Sequence, residues 1–214
     1  NHLVPIPDGI EDHVAAPILC AGLTVYRGLK LSNTKLGDWV VIPGAGGGLG
    51  HLVVLRTSVI PDIPEFRLYL LDSGEVKKSV CLGLGAEKWV DFKHSTDVVK
   101  DVVEACDGLG PHAALIIPPI GAAYDDALQY LRTSGTLVMI GLPDNSFKLK
   151  TPVVHLIRKV GRDFLTMQDA IEALDLVARK KVTPHVQLGR LVDMNKIFDE
   201  LHAGRIVGRT VVKL

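Results

Sequence analysis

Gly44-Ala45-Gly46-Gly47-Gly48-Leu49-Gly50 sets five glycines between an apolar run, Trp39-Val40-Val41-Ile42, and the segment opening His51-Leu52-Val53-Val54. A strand that passes through such a loop into a helix exposes backbone N–H groups at the helix N-terminus. An anion, above all a pyrophosphate, can approach those amides because no Cβ holds it off. Glycine also permits the positive φ of a tight turn. The strict G-x-G-x-x-G pattern is absent. Registers that end on Gly50 read Ala45-x-Gly47-x-x-Gly50 or Gly44-x-x-Gly47-x-x-Gly50. Alanine is tolerable at the first position, where the turn is required but the ligand is not touched. Glycine runs also serve as plain turns, so the loop alone does not decide between the two uses.

Asp72 adds a second group. It follows the apolar run Arg67–Leu71 and lies 22 residues beyond Gly50, close to the ~20-residue interval at which a carboxylate meets the ribose of a bound dinucleotide. A carboxylate there favours NAD, since it would repel the 2′-phosphate of NADP. The alternative is an aspartate that ends a strand and opens a turn with Ser73-Gly74. Lys77, one turn into the next segment, could reach the same ribose or stand solvated on its helix.

The elements that would hold these groups alternate regularly. Trp39–Ile42, Arg67–Leu71, Lys88–Phe92, Ala113–Ile117 and Thr136–Ile140 have strand character, most of them ending at Pro, Gly or Asp. Helical patterns lie between them at Glu75–Leu84, Thr96–Cys106 and Ala122–Leu131. Strands apolar along their length, joined by helices, predict an α/β fold: a doubly wound parallel sheet covered on both faces. Beyond it, Gln168–Arg179 is an amphipathic helix with Ile171, Leu174, Leu176 and Val177 as apolar positions. Met194–His202 is another helix, and Thr210–Leu214 a last strand outside the main sheet.

Composition limits the partners. Of 214 residues, 47% are hydrophobic and 22% charged, with 24 basic and 24 acidic side chains. That balance suits a globular protein and offers no field for nucleic acid or an anionic membrane. No unbroken apolar run of ~18 residues argues for a membrane span. Three cysteines, Cys20, Cys81 and Cys106, fit no disulfide framework, which favours a reducing, cytoplasmic setting and buried thiols. The opening Asn1-His2-Leu3-Val4-Pro5 lacks a secretory pattern. A strand-like start without Met suggests a piece of something longer.

Several blocks together resemble one family. Ala15–Tyr26 with its Cys20, Gly37–His51, Leu84–Phe92, Gly135–Pro143 and Gly204–Arg209 are similar to the zinc-dependent, NAD-type alcohol dehydrogenases of yeasts and filamentous fungi, over their C-terminal portion. The resemblance implies that Gly44, Ala45, Gly46, Gly47, Gly48, Leu49 and Gly50 hold the pyrophosphate, and that Asp72 and Lys77 bind the adenosine ribose. It implies that Ile140, Gly141 and Leu142 lie beside the nicotinamide, whose carboxamide backbone groups can fix. Arg209 would stand near the pyrophosphate, and Cys20 would be one ligand of a catalytic zinc. The implied reaction is hydride transfer between an alcohol and NAD, with small alcohols and aldehydes as substrates and a homo-oligomer possible.

The departures from the family carry equal weight. A catalytic zinc needs three protein ligands, and only Cys20 matches one. No C-x-x-C cluster occurs, and His94, His112, His155 and His185 show no ligand spacing. This chain alone is therefore not expected to retain zinc or to turn over an alcohol, and no catalytic residue can be named. Pro61 and Pro64 should end the helix after the glycine loop, limiting it to about Gly48–Val59. Residues 154–165 match the family's subunit-pairing strand poorly. The expected organisation is a remnant at 1–36 joined to an absent N-terminal, GroES-like catalytic domain, an NAD-binding domain at 37–164, and a return segment at 165–214. The alternatives are an NAD-binding pseudoenzyme or interaction subunit, and a remnant that folds poorly.

Overall fold

The computed structural model describes residues 3–57, 67–143, 148, 159–161 and 167–213. Six parallel strands form the central sheet: β1 (Trp39–Pro43), β2 (Arg67–Asp72), β3 (Lys88–Asp91), β4 (Ala113–Ile116), β5 (Thr136–Met139) and β6 (Lys159–Gly161). Their order is β3-β2-β1-β4-β5-β6. The connection therefore reverses direction between β1 and β4, where Val40 lies beside Ala113 and Val41 beside Ala114. Every residue of β1 and β4 is buried, as near-continuous apolar strands of a sheet covered on both faces should be.

The five predicted strands are present. The helices between them are α3 (Gly50–Thr57), α4 (Glu75–Gly83), α5 (Val98–Ala105) and α6 (Gly121–Tyr130). The predicted start of α5 at Thr96 moves inward for a local reason. Asp97 is its N-cap, and the carboxylate accepts the Lys100 N–H at 3.0 Å. Helix α3 opens at Gly50, not Gly48, because the preceding residues form the turn of the loop. Pro61, Pro64 and most of the poorly matching stretch 154–165 lie outside the described residues.

One face of the sheet packs Val40, Ile42, Leu68, Leu70 and Leu115 under Val25, Leu29 and Val53. The other packs Trp39, Val41, Ala114 and Ile116 under Val102, Tyr124, Leu128 and Leu131. Each large aliphatic side chain so buried contributes about 1.5–3 kcal/mol against its exposed state.

A long helix early in the chain has no counterpart in the sequence reading, and residues 3–10, which open strand-like, form no strand. It consists of α1 (Asp12–Pro17), a π turn (Ile18–Gly22) and α2 (Leu23–Ser32). Pro17 lacks the N–H that would bond one turn back, and the Leu23 N–H reaches the Ile18 carbonyl five residues away. The extra residue keeps Ile18 and Ala21 buried while Cys20 faces outward. From Asp12 to Ser32 the helix is long and apolar enough to cross a membrane, yet half of its most apolar window is buried inside this fold, as a core helix would be.

The tail contains α7 (Met167–Ala178), β7 (Val186–Arg190), α8 (Met194–His202) and β8 (Arg209–Lys213). Strands β7 and β8 pair in parallel as a separate sheet, in accord with a last strand outside the main one; β7 has no counterpart in the sequence pattern. On α7, Ala170, Ala173, Leu174, Leu176 and Val177 are buried. Ile171, expected on the apolar face, is 48% exposed. Asp169 is buried instead, its carboxylate 3.3 Å from Lys30 and 3.7 Å from Arg27 of α2.

Candidate dinucleotide site at the switch point

In an open parallel sheet, a crevice forms beyond the C-terminal ends of the strands where the connection reverses. Here that place is where the loops after β1 and β4 leave the sheet. The loop after β1 is Gly44–Leu49. Gly44 has φ of 75°, the one positive φ in the loop, so the turn falls on Gly44 and not on Ala45. Ala45 is fully buried. The Gly44 N–H bonds to the Leu71 carbonyl at 2.8 Å, and the Gly47 N–H to the Gly44 carbonyl at 3.1 Å. A Cβ on Gly50 would lie 2.3 Å from the Gly44 carbonyl oxygen and 2.4 Å from the Ala45 Cα. Gly50 is therefore a packing glycine, needed for the close approach of helix to loop.

The remaining loop glycines have side-chain neighbours. A Cβ on Gly46 would meet the Lys77 side chain at 2.6 Å, and one on Gly48 would meet Arg209 Nε at 2.8 Å. Arg209 Nε donates to the Gly48 carbonyl at 3.0 Å, so the first residue of β8 is held against the loop. Leu49 is partly buried against the core.

Asp72 ends β2 and is nearly buried. One carboxylate oxygen accepts the Gly46 N–H at 2.9 Å; the other accepts the Ser73 N–H at 2.7 Å and lies 3.1 Å from Lys77 Nζ. Asp72 thus has two structural contacts in one place. It starts the turn at Ser73, and it stands beside the glycine loop with Lys77.

Strand β5 supplies the opposite wall. The N–H groups of Ile140 and Gly141 both bond to the Ile116 carbonyl, at 3.0 and 2.8 Å. A Cβ on Gly141 would lie 2.4 Å from the Ile117 carbonyl oxygen and 2.6 Å from that of Pro118. Pro118 also sits where a Cβ on Gly44 would reach, at 3.2 Å, so the loops after β1, β4 and β5 converge. Leu142 follows with 70% of its surface exposed. Two further groups escaped the sequence reading as site residues. The Tyr124 hydroxyl, from α6, donates to the Gly141 carbonyl. His51, fully buried in the first turn of α3, has Nδ1 3.0 Å from the Gly47 carbonyl. A carbonyl only accepts, so Nδ1 carries the proton. Burial first of all pushes the imidazole pKa down to about 4; the Gly47 bond opposes this, while His185 and Arg209 lower it further.

A zinc ion does not fit the residues in hand. Cys20 is exposed, and among the described residues no three His, Cys, Asp or Glu side chains converge on a common point. His94 instead pairs with Asp91 at 3.3 Å. His112 pairs with Asp38 at 3.2 Å and accepts the Trp39 N–H through Nδ1. His155 lies outside the described residues.

Known proteins place this geometry in context. The family model of zinc-binding dehydrogenases matches residues 64–179. Alcohol dehydrogenase 1 of Emericella nidulans is 38% identical over all of this chain and 61% of its own length. Alcohol dehydrogenase 1 of Neurospora crassa is 38% identical over 99% of this chain and 60% of its own. Among solved structures, the alcohol dehydrogenase of the hyperthermophilic archaeon Aeropyrum pernix superposes with a TM-score of 0.86 at 26% identity, covering 99% of this chain and 61% of that one. The chain thus spans about 60% of the length of the curated relatives it matches. A match over more than half its residues, joined to the strand order and the loop at the switch point, makes this chain a member of the zinc-binding dehydrogenase family.

Proposed function

We propose that this chain is the NAD-binding part of an alcohol dehydrogenase, which moves a hydride between a small alcohol and NAD. The observation that carries this reading is the contact of Asp72 with the Gly46 N–H, which sets a carboxylate at the edge of a loop of bare amides. In this reading Gly44–Gly50 receive the pyrophosphate, and Arg209 lies against that loop with a compensating positive charge. Asp72 and Lys77 hold the adenosine ribose, and the backbone of Ile140–Leu142 faces the carboxamide. When bound, NAD supplies the hydride acceptor; the residues here bind and orient it. Two thiols free and buried, Cys81 and Cys106, suit a reducing compartment such as the cytoplasm.

Titration with NAD and with NADP, followed by calorimetry, tests the assignment. Saturable binding of NAD, tighter than that of NADP, is the expected result. Absence of saturable NAD binding by the folded chain would refute it.

A second reading, a module that binds NAD without turning over an alcohol, is favoured by the lack of converging ligands around Cys20 among the described residues. Ethanol and NAD⁺ with added zinc should give no NADH from this chain. Turnover with one tightly held zinc per chain would exclude the second reading.

A further inference from the structure

Tyr124 is 1% exposed. It belongs to the buried apolar cluster between α6 and the sheet, together with Ile116, Leu128 and Leu137. A phenol in such surroundings is retained where its hydroxyl finds a partner, since an unpaired one costs about 1–3 kcal/mol. The partner is the Gly141 carbonyl, beyond the end of β5. Burial raises the phenol pKa further above its ordinary value of 10.0, so the hydroxyl is a neutral donor throughout the working pH range.

The position of that bond matters because of what shares the peptide. The Gly141 carbonyl and the Leu142 N–H belong to one planar unit, so holding the oxygen fixes the direction of the N–H. The preceding peptide is already tied, its Gly141 N–H bonded to the Ile116 carbonyl at 2.8 Å. No side chain can occupy position 141, where a Cβ would strike the Ile117 carbonyl. The rigid strand thus holds one side of Gly141 and the Tyr124 hydroxyl holds the other.

We propose that Tyr124 is a positioning residue for the nicotinamide end of the dinucleotide: its hydroxyl, through the Gly141 carbonyl, aims the Leu142 N–H at the carboxamide. This rests on the reading of the crevice as an NAD site and deepens it. The bond lies far from Asp72 in sequence and on another wall, so it acts on the nicotinamide half and leaves the adenosine half alone.

Tyr124→Phe keeps the ring and removes the donor. Affinities for NADH and for ADP-ribose, which lacks the nicotinamide, are measured on wild type and variant. The expected result is an about three- to tenfold weaker NADH complex, the range of one neutral hydrogen bond, with ADP-ribose binding within about twofold of wild type by the same arithmetic. Retained ADP-ribose binding also shows that the variant is folded. Equal loss for both ligands, or no loss for either, would overturn the positioning role and leave the dinucleotide site standing. Wild type binding neither ligand would overturn the reading of the site, and the role of Tyr124 with it.

Discussion

Asp72 and Gly46 are joined by a 2.9 Å bond from the backbone N–H to the carboxylate, which ties the end of β2 to the loop after β1. The negative charge stands where the adenosine ribose is proposed to sit, with Lys77 3.1 Å away. Asp72→Asn removes the charge and leaves a single oxygen where two now accept the Gly46 and Ser73 N–H groups. NAD affinity should fall about 10- to 100-fold, the worth of a charge-assisted bond, and the preference over NADP should narrow. Calorimetry of both ligands decides it, and an unchanged NAD affinity would count against the assignment.

Gly50 and Gly83 make a matched pair. A Cβ at Gly50 would run into backbone of the loop at 2.3 Å, whereas nothing lies within 4 Å of one at Gly83. Gly50→Ala should cost several kcal/mol, in the upper range for single substitutions, because backbone cannot swing aside. Gly83→Ala should be neutral or slightly stabilising. Urea melts of the two variants would contradict the close-packing role if they shifted alike.

His51 makes stability depend on pH. Its pKa is about 4 in the folded chain against 6.5 for an ordinary imidazole. Between those values the unfolded chain binds a proton that the folded chain refuses. The contribution is therefore complete above about pH 7 and is lost as pH falls, reaching about 3 kcal/mol by pH 4. His51→Gln retains a donor for the Gly47 carbonyl and does not titrate. The stability difference between variant and wild type should shift in the variant's favour from pH 7 to pH 4.5; a constant difference would argue against a neutral, buried ring.

The thiols should separate by exposure. Burial raises Cys81 and Cys106 to about 12, leaving almost no thiolate at neutral pH. Cys20 is exposed. A disulfide dye should label one thiol rapidly in the native protein and three after denaturation. Cys20→Ser should abolish the rapid phase.

Much of this architecture can be read along the chain, and the gaps have physical causes. The core strands announce themselves because a parallel sheet covered on both faces demands apolar runs, and Pro43, Asp72 and Gly135 bracket them. The glycine loop and Asp72 are legible because their spacing is local. The helix from Asp12 is not, since Pro17, Gly22 and Gly28 look like breaks, and only the π turn and tight packing absorb them. At Gly28 a Cβ would sit 3.1 Å from Ile140, a closeness no sequence pattern reveals. Strand β7 is masked by Gln187, Gly189 and Arg190, which an exposed two-stranded ribbon tolerates. Which loop residue takes the turn, Gly44 or Ala45, depends on backbone angles. The Tyr124 bond joins an apolar helix face to a distant strand end, and it becomes visible when the two are packed together.

The pairing of Val40 with Ala113 bears on how the protein comes into being. Strand β1 finds its first neighbour, β2, early in synthesis, but its second arrives after two intervening strands and their helices have been made. Long-range closures of this kind slow folding, since chain entropy is surrendered before contacts repay it. A molecule that needs both walls meets nothing to grip on a half-made chain; it locks a shape already assembled, and so should delay unfolding far more than it hastens assembly.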